Sequence, residues 1–183
     1  MNETKPRYTG VGSHVGTPPS ILRGIVIIAG ALEDIGYICR TGDAPECDKA
    51  FRTGVKNESN IEVYPRGVGT RESIALALRL HPNPEAARKY IDYLGRNPMQ
   101  VCGKAMDDPS KFLVCWTPDG RTVGGTGLTM RVAEHFHVPI MNLFQYSTED
   151  VIEIAKKVKN KEFVEFKGDI REIVGEMGGL LKW

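Results

Sequence analysis

Four glycines fall within the eight residues from Gly120 to Gly127. Three of them belong to Gly124-Gly125-Thr126-Gly127-Leu128-Thr129, between an apolar run that reads as a strand and an amphipathic run that reads as a helix. At such a junction backbone N–H groups point outward, and the helix dipole favours an anion. Glycine lets the backbone approach a phosphate with no Cβ in the way. Thr126 and Thr129 can add hydroxyl donors. The expected chemistry is therefore phosphate binding at Gly124, Gly125, Thr126 and Gly127. No Lys-Ser/Thr pair follows the loop, so it is not a Walker A motif, and it lacks the G-x-G-x-x-G spacing of dinucleotide sites. A tight turn that needs positive φ is the plain alternative.

A second glycine turn, Gly10-Val11-Gly12-Ser13, follows the first expected strand. Ligands of open parallel sheets sit outside the carboxyl ends of the strands, so Gly10, Gly12 and Ser13 could line the same cleft, or form a plain turn. Thr41-Gly42-Asp43-Ala44-Pro45-Glu46-Cys47-Asp48 ends another expected strand. Three carboxylates beside a phosphate site repel it unless they hold a ribose hydroxyl or a metal, or act as an acid/base pair. Asp43 and Asp48 are the candidate catalytic residues, with Thr41 and Gly42 as ligand contacts. Asp48 is equally placed to cap the helix that follows. Arg96 can read a phosphate bidentately and Asn97 a base edge; the alternative for both is a solvated helix start. Asp119 is a ligand contact or a turn residue. His135 and His137 stand two apart and share no helical face. His14 is the one histidine near the expected cleft. No metal site, cofactor or Ser-His-Asp arrangement is expected.

These residues need a scaffold, and the hydrophobic pattern supplies one. Tyr8–Ser13 reads as a strand entering a turn. Thr17-Pro18-Pro19 opens a helix, with Thr17 as candidate N-cap and apolar residues from Ile21 to Ile35 at helical spacing. Gly36 stops it. Tyr37–Gly42 is a second strand, Asp48–Gly54 a short helix, and Ile61–Pro65 a third strand. This β-α-β-α-β order predicts right-handed crossovers and a parallel sheet. Arg66–Pro84 is irregular, with a helical turn at Ser73–Leu80. Pro84–Leu94 and Arg96–Ala105 read as helices. Phe112–Trp116 is apolar throughout, as a strand buried on both faces must be. Leu128–His137 is a helix, Val138–Leu143 a fifth strand, and Glu149–Lys157 a last helix. Phe163–Trp183 could add a strand and a helix. The expected class is α/β, a three-layer Rossmann-like parallel sheet with helices on both faces. One domain spans 1–183, with a core at about 8–158 and a C-terminal extension at 159–183.

Composition sets the outer bounds. The chain has 183 residues, 41% of them hydrophobic, and a formal net charge of +1. That balance argues against a strongly basic nucleic-acid binder and an acidic disordered tail. Cys39, Cys47, Cys102 and Cys115 form no C-x-x-C pair, and read as buried free thiols in a reducing compartment. No apolar stretch is long enough to cross a bilayer, and no apolar leader is seen at Met1–Arg7, so no membrane partner and a cytoplasmic location are expected.

Together the motifs resemble the SLOG superfamily of Rossmann-like domains. Gly10–Ser13, then Arg40–Ala50, then Arg96–Gly103 and Gly125–Thr129 follow the order of the DNA-processing protein DprA/Smf, including its short stand-alone versions in phage genomes. The cytokinin-activating lonely-guy phosphoribohydrolases (LOG) are a more distant likeness. The resemblance covers about residues 8–145. It implies a nucleotide or nucleotide-derived ligand held at Gly124–Gly127, as a sensor or for N-glycosidic hydrolysis. It alternatively implies single-stranded DNA binding in DNA processing or recombination. It also implies a homo-oligomer. The chain departs from the DprA pattern at His14, Asp43, Glu46 and Pro98, which together remove positive charge from the cleft. It lacks the LOG pattern P-G-G-x-G-T-x-x-E, since its first glutamate after the loop is Glu134. These departures favour a small nucleotide-like ligand over a DNA backbone.

Overall fold

A computed structural model describes residues 5–162 and Val164 of the chain. The expected strand and helix of Phe163–Trp183 lie, apart from Val164, outside the described residues. The strands are β1 (Arg7–Gly12), β2 (Ile38–Gly42), β3 (Ile61–Tyr64), β4 (Leu113–Trp116) and β5 (Ile140–Asn142). All neighbouring pairs are parallel, in the order β3-β2-β1-β4-β5. The helices are α1 (Pro19–Asp34), α2 (Cys47–Gly54), α3 (Arg71–Leu80), α4 (Pro84–Arg88), α5 (Ile91–Leu94), α6 (Asn97–Cys102), α7 (Gly124–His135) and α8 (Thr148–Lys159).

Strand periodicity builds three layers. Successive strand side chains point to opposite faces. On β4, Val114 and Trp116 join Tyr8, Cys39 and Met141 in a core with residues of α1, α2 and α8. Leu113 and Cys115 join Val11 in a second core with residues of α3, α6 and α7. All four β4 residues are buried, as a central parallel strand requires. The Rossmann-like α/β class expected from the pattern is the one observed.

Local differences have identifiable causes. Thr17 does not cap α1: the N-cap is Pro18, with no side-chain cap. The Thr17 hydroxyl instead lies 3.3 Å from Cys47 Sγ, and its N–H donates to Glu46. The run expected as one helix from Pro84 to Leu94 is two short ones, because the chain leaves helical geometry at Tyr90, with φ −121° and ψ 22°. The glycine loop is not a loop before a helix. Gly124, Gly125 and Thr126 are the first turn of α7 itself.

Candidate functional site

In an open α/β sheet the crevice opens where the strand order reverses. Here that point lies between β1 and β4, whose ends pair Gly12 with Trp116. A cleft of about 950 Å³ occupies this place. Gly12, Ser13, Asp43, Asp48, Arg96, Asn97, Gly124, Gly125, Thr126 and Thr129 all line it. The carboxyl ends of β1 and β2, the N-terminus of α6 and the N-terminus of α7 thus converge on one space.

Five of the expected contacts sit elsewhere. Gly10 is inside β1, against the Phe51 ring. Thr41 is fully buried, with no hydrogen-bond partner for its hydroxyl. Gly42 lies behind the cleft wall, where a Cβ would collide with Arg96, Asp48 and Gln100. Asp119 adopts φ +56° and pairs with Arg121 at 2.8 Å, so it is a turn residue. Gly127 packs on the backbone of Thr122.

The α7 terminus has the form an anion site requires. The first turn of a helix leaves N–H groups without intrahelical partners. Valine cannot cap them, and Val123 at the N-cap offers no side-chain bond. Gly124 stands at φ +65°, with nothing within 4 Å of where a Cβ would be. Gly124 and Gly125 are exposed. Asn97 fixes the turn by donating from Nδ2 to the Gly125 carbonyl at 2.7 Å. The Thr129 hydroxyl is spent internally, on Gly125 O at 3.3 Å and Gln100 Oε1 at 3.4 Å.

The acidic turn divides its three carboxylates between two tasks. Glu46, at φ +58°, accepts from the N–H groups of Gly16 and Thr17 at 3.2 and 2.8 Å and so anchors the entry to α1. The bond from the Thr17 N–H, first among its causes, holds its carboxyl below the usual range. Asp43 and Asp48 meet Arg96. Arg96 Nη1 donates to Asp43 Oδ1 at 2.7 Å and to the Tyr64 carbonyl at 2.6 Å. Its Nη2 lies 3.9 Å from Asp48 Oδ2. Arg96 is only 5% exposed, and its Nε is buried without a partner. Asp48 is 3% exposed and is not a helix cap, since Glu46 holds that position. Burial pushes the Asp48 carboxyl up to about 6, against the opposing pull of Arg96 and of the Ala44 and Gly12 N–H groups. A carboxyl near 6 can take and return a proton at neutral pH.

That value predicts a pH signature. The folded-state pKa is raised above the ordinary 3.8, so the associated stability is full below about pH 4 and is lost as pH rises through about 6. Glu33, Glu46 and Glu62 are lowered and act in the opposite sense, below the ordinary 4.5. Between pH 7 and pH 5 the wild type should therefore gain about 1 kcal/mol relative to Asp48→Asn. Urea denaturation of both proteins at the two pH values checks this. Parallel responses would place the Asp48 carboxyl outside this range.

Other chemistries find less support. All four cysteines are free and buried. Burial pushes the thiols of Cys39, Cys47 and Cys102 up to about 12, far from a nucleophilic thiolate. Among the described residues no group of three or more His, Cys, Asp or Glu side chains is placed to hold a metal ion. No described helix is long and apolar enough to cross a membrane. Comparison with family models, with curated proteins and with solved structures found no match.

Sequence reasoning overlooked Gln100, Tyr90 and Tyr93, which also line the cleft. Gln100 follows Arg96 at helical i,i+4 spacing, a signal that places both on one face. The tyrosines stand three apart, on one helical face, and both remain exposed while Leu94 beside them enters the core.

Proposed function

We propose that this protein binds a nucleotide or nucleotide-derived small molecule in the cleft between β1 and β4. The phosphate sits on the N–H groups at the start of α7, and the ribose lies toward Asp43 and Asp48. The observation that carries this reading is the convergence of an uncapped helix terminus and an Asp–Arg–Asp cluster on one cleft at the strand-order switch. The charge balance supports a small ligand. Arg96 is already engaged by two carboxylates, so it offers little free positive charge to a polyanion.

The same carboxylates supply the means for N-glycosidic hydrolysis. Asp43, held by Arg96, faces the cleft as an anion that can stabilise oxocarbenium-like charge at the anomeric carbon. Asp48 can orient a water and accept its proton as the water oxygen bonds to the anomeric carbon and the C–N bond breaks, its electron pair leaving with the base, which takes a proton from solvent. Binding without base release would make the protein a sensor. The test is thermal shift and calorimetry with a panel of mono- and dinucleotides, followed by chromatography for released base. A rise of several degrees in Tm is expected for at least one ligand. No shift at millimolar ligand, with no base released, would overturn the proposal.

Single-stranded DNA is the second reading, resting on the DprA-like motif order and on four exposed arginines, Arg66, Arg71, Arg79 and Arg88. Two of these already have acidic neighbours: Arg66 lies 3.5 Å from Asp92, and Arg88 lies 3.5 Å from Glu85. Retardation of an oligonucleotide at low salt would favour it, because an electrostatic binder shows there first.

A further inference from the structure

The outer wall of the cleft carries a feature that phosphate and ribose do not use. Tyr90 is 62% exposed and Tyr93 is 46% exposed, and both line the cleft. Tyr90 sits at the break between α4 and α5, and Tyr93 on α5. The Arg66 guanidinium lies over the Tyr93 ring, 4.3 Å from its centroid, and its Nη1 is 3.3 Å from the tyrosine hydroxyl. Two aromatic rings, three residues apart in the chain, and a planar cation therefore line the same cleft. Exposed rings in a cleft gain little from folding, since they bury little area in the folded chain. Their π faces and the guanidinium plane are what a flat aromatic ligand stacks upon.

Contacts link this wall to the rest of the site. The Arg66 N–H donates to Asp43 Oδ2 at 3.2 Å, while Asp43 Oδ1 pairs with Arg96. Leu94, next to Tyr93 in the chain, lies 4.0 Å from where a Gly125 Cβ would be. The order α7 terminus, Asn97, Arg96, Asp43, Arg66, Tyr93 follows consecutive contacts or chain neighbours. It matches the order phosphate, sugar, base in a nucleotide.

We propose that Tyr90 and Tyr93, with Arg66, form a base subsite that stacks a purine or pyrimidine ring. This inference rests on the nucleotide reading above and assigns its third part. The subsite is read by comparing nucleoside 5′-monophosphates with ribose 5-phosphate, which has phosphate and sugar but no base. Calorimetry is run on the wild type, Tyr90→Leu, Tyr93→Leu, the double variant, and Tyr93→Phe. Both side chains are exposed, so Tm should change little on substitution, and this is measured alongside.

In the wild type the nucleotides should bind at least about tenfold tighter than ribose 5-phosphate. Each leucine should narrow that gap by roughly fivefold or more, while ribose 5-phosphate affinity stays as it was. Phenylalanine at 93 should keep the gap, since it retains the ring. A gap that survives in the double leucine variant overturns the base subsite and leaves the nucleotide reading standing. Equal affinity of wild type for ribose 5-phosphate and nucleotides also overturns it. If no compound in the set binds the wild type, the nucleotide reading fails and the subsite with it.

Discussion

Arg96→Met is expected to cost about 3–5 kcal/mol of stability at pH 7, the largest loss of any single change in the cleft. The reason is what it leaves behind. Asp48 is 3% exposed, and Arg96 is the cation nearest it that is also buried. Without the guanidinium, Asp48 must either stay ionised in a low-dielectric site or take up a proton at neutral pH. The Tyr64 carbonyl and Asp43 lose a donor at the same time. Two conditions should return part of the loss. Asp48→Asn in the same chain removes the stranded charge, so the double variant should be more stable than Arg96→Met alone. Lowering the pH to 5 should also narrow the gap to wild type, because Asp48 then carries its proton in both proteins. Urea denaturation of wild type, both single variants and the double variant closes the cycle. A loss below about 1 kcal/mol, or a double variant no better than Arg96→Met, would show that the three side chains do not act as one unit.

That cluster marks the boundary of what the sequence could tell. The sheet was legible because its signals are local. Phe112–Trp116 is apolar on both faces, and alternate strands and helices of the right length admit only a parallel sheet. The rule that ligands sit at the carboxyl ends of such strands then brought Gly12, Asp43 and Gly124 to one edge. What composition cannot distinguish is three carboxylates in six residues. Glu46, Asp43 and Asp48 look alike as a string. In the fold one anchors α1, one lines the cleft half-exposed, and one lines it almost wholly buried. The assignment turns on Glu46 taking a positive φ, which no propensity scale predicts for glutamate. Thr41 illustrates the same limit. Asp43, two residues on, lines the cleft, yet strand geometry leaves the Thr41 hydroxyl inside the protein. Tyr90 and Tyr93 were overlooked for the opposite reason. Their segment reads as one helix, Pro84–Leu94, but the chain breaks it at Tyr90, so only the packing of α5 beside α7 brings the two rings to the cleft.

Gly125→Asp should separate the fold from the ligand more cleanly than any other substitution. A Cβ at Gly125 meets nothing closer than Asn97 Nδ2 at 3.8 Å and Leu94 at 4.0 Å, and φ there is not positive. The backbone therefore accepts the new side chain without strain. An acidic residue in the first turn of a helix stabilises it by roughly 0.3–1 kcal/mol, so Tm should hold or rise slightly. The same carboxylate occupies the N–H groups that the phosphate needs and opposes its charge. Nucleotide affinity should fall by roughly a hundredfold or more, about 3 kcal/mol, the scale of removing one charge-assisted hydrogen bond and adding one like-charge repulsion. Gly125→Ala supplies the control, since it adds the Cβ without the charge and should retain most of the binding. The two readouts move in opposite directions, which general damage to the protein cannot produce. If Gly125→Asp keeps wild-type affinity, the anion does not sit at the start of α7, and the cleft holds its ligand by another end. If Gly125→Ala loses as much as Gly125→Asp, close backbone approach rather than charge governs the site.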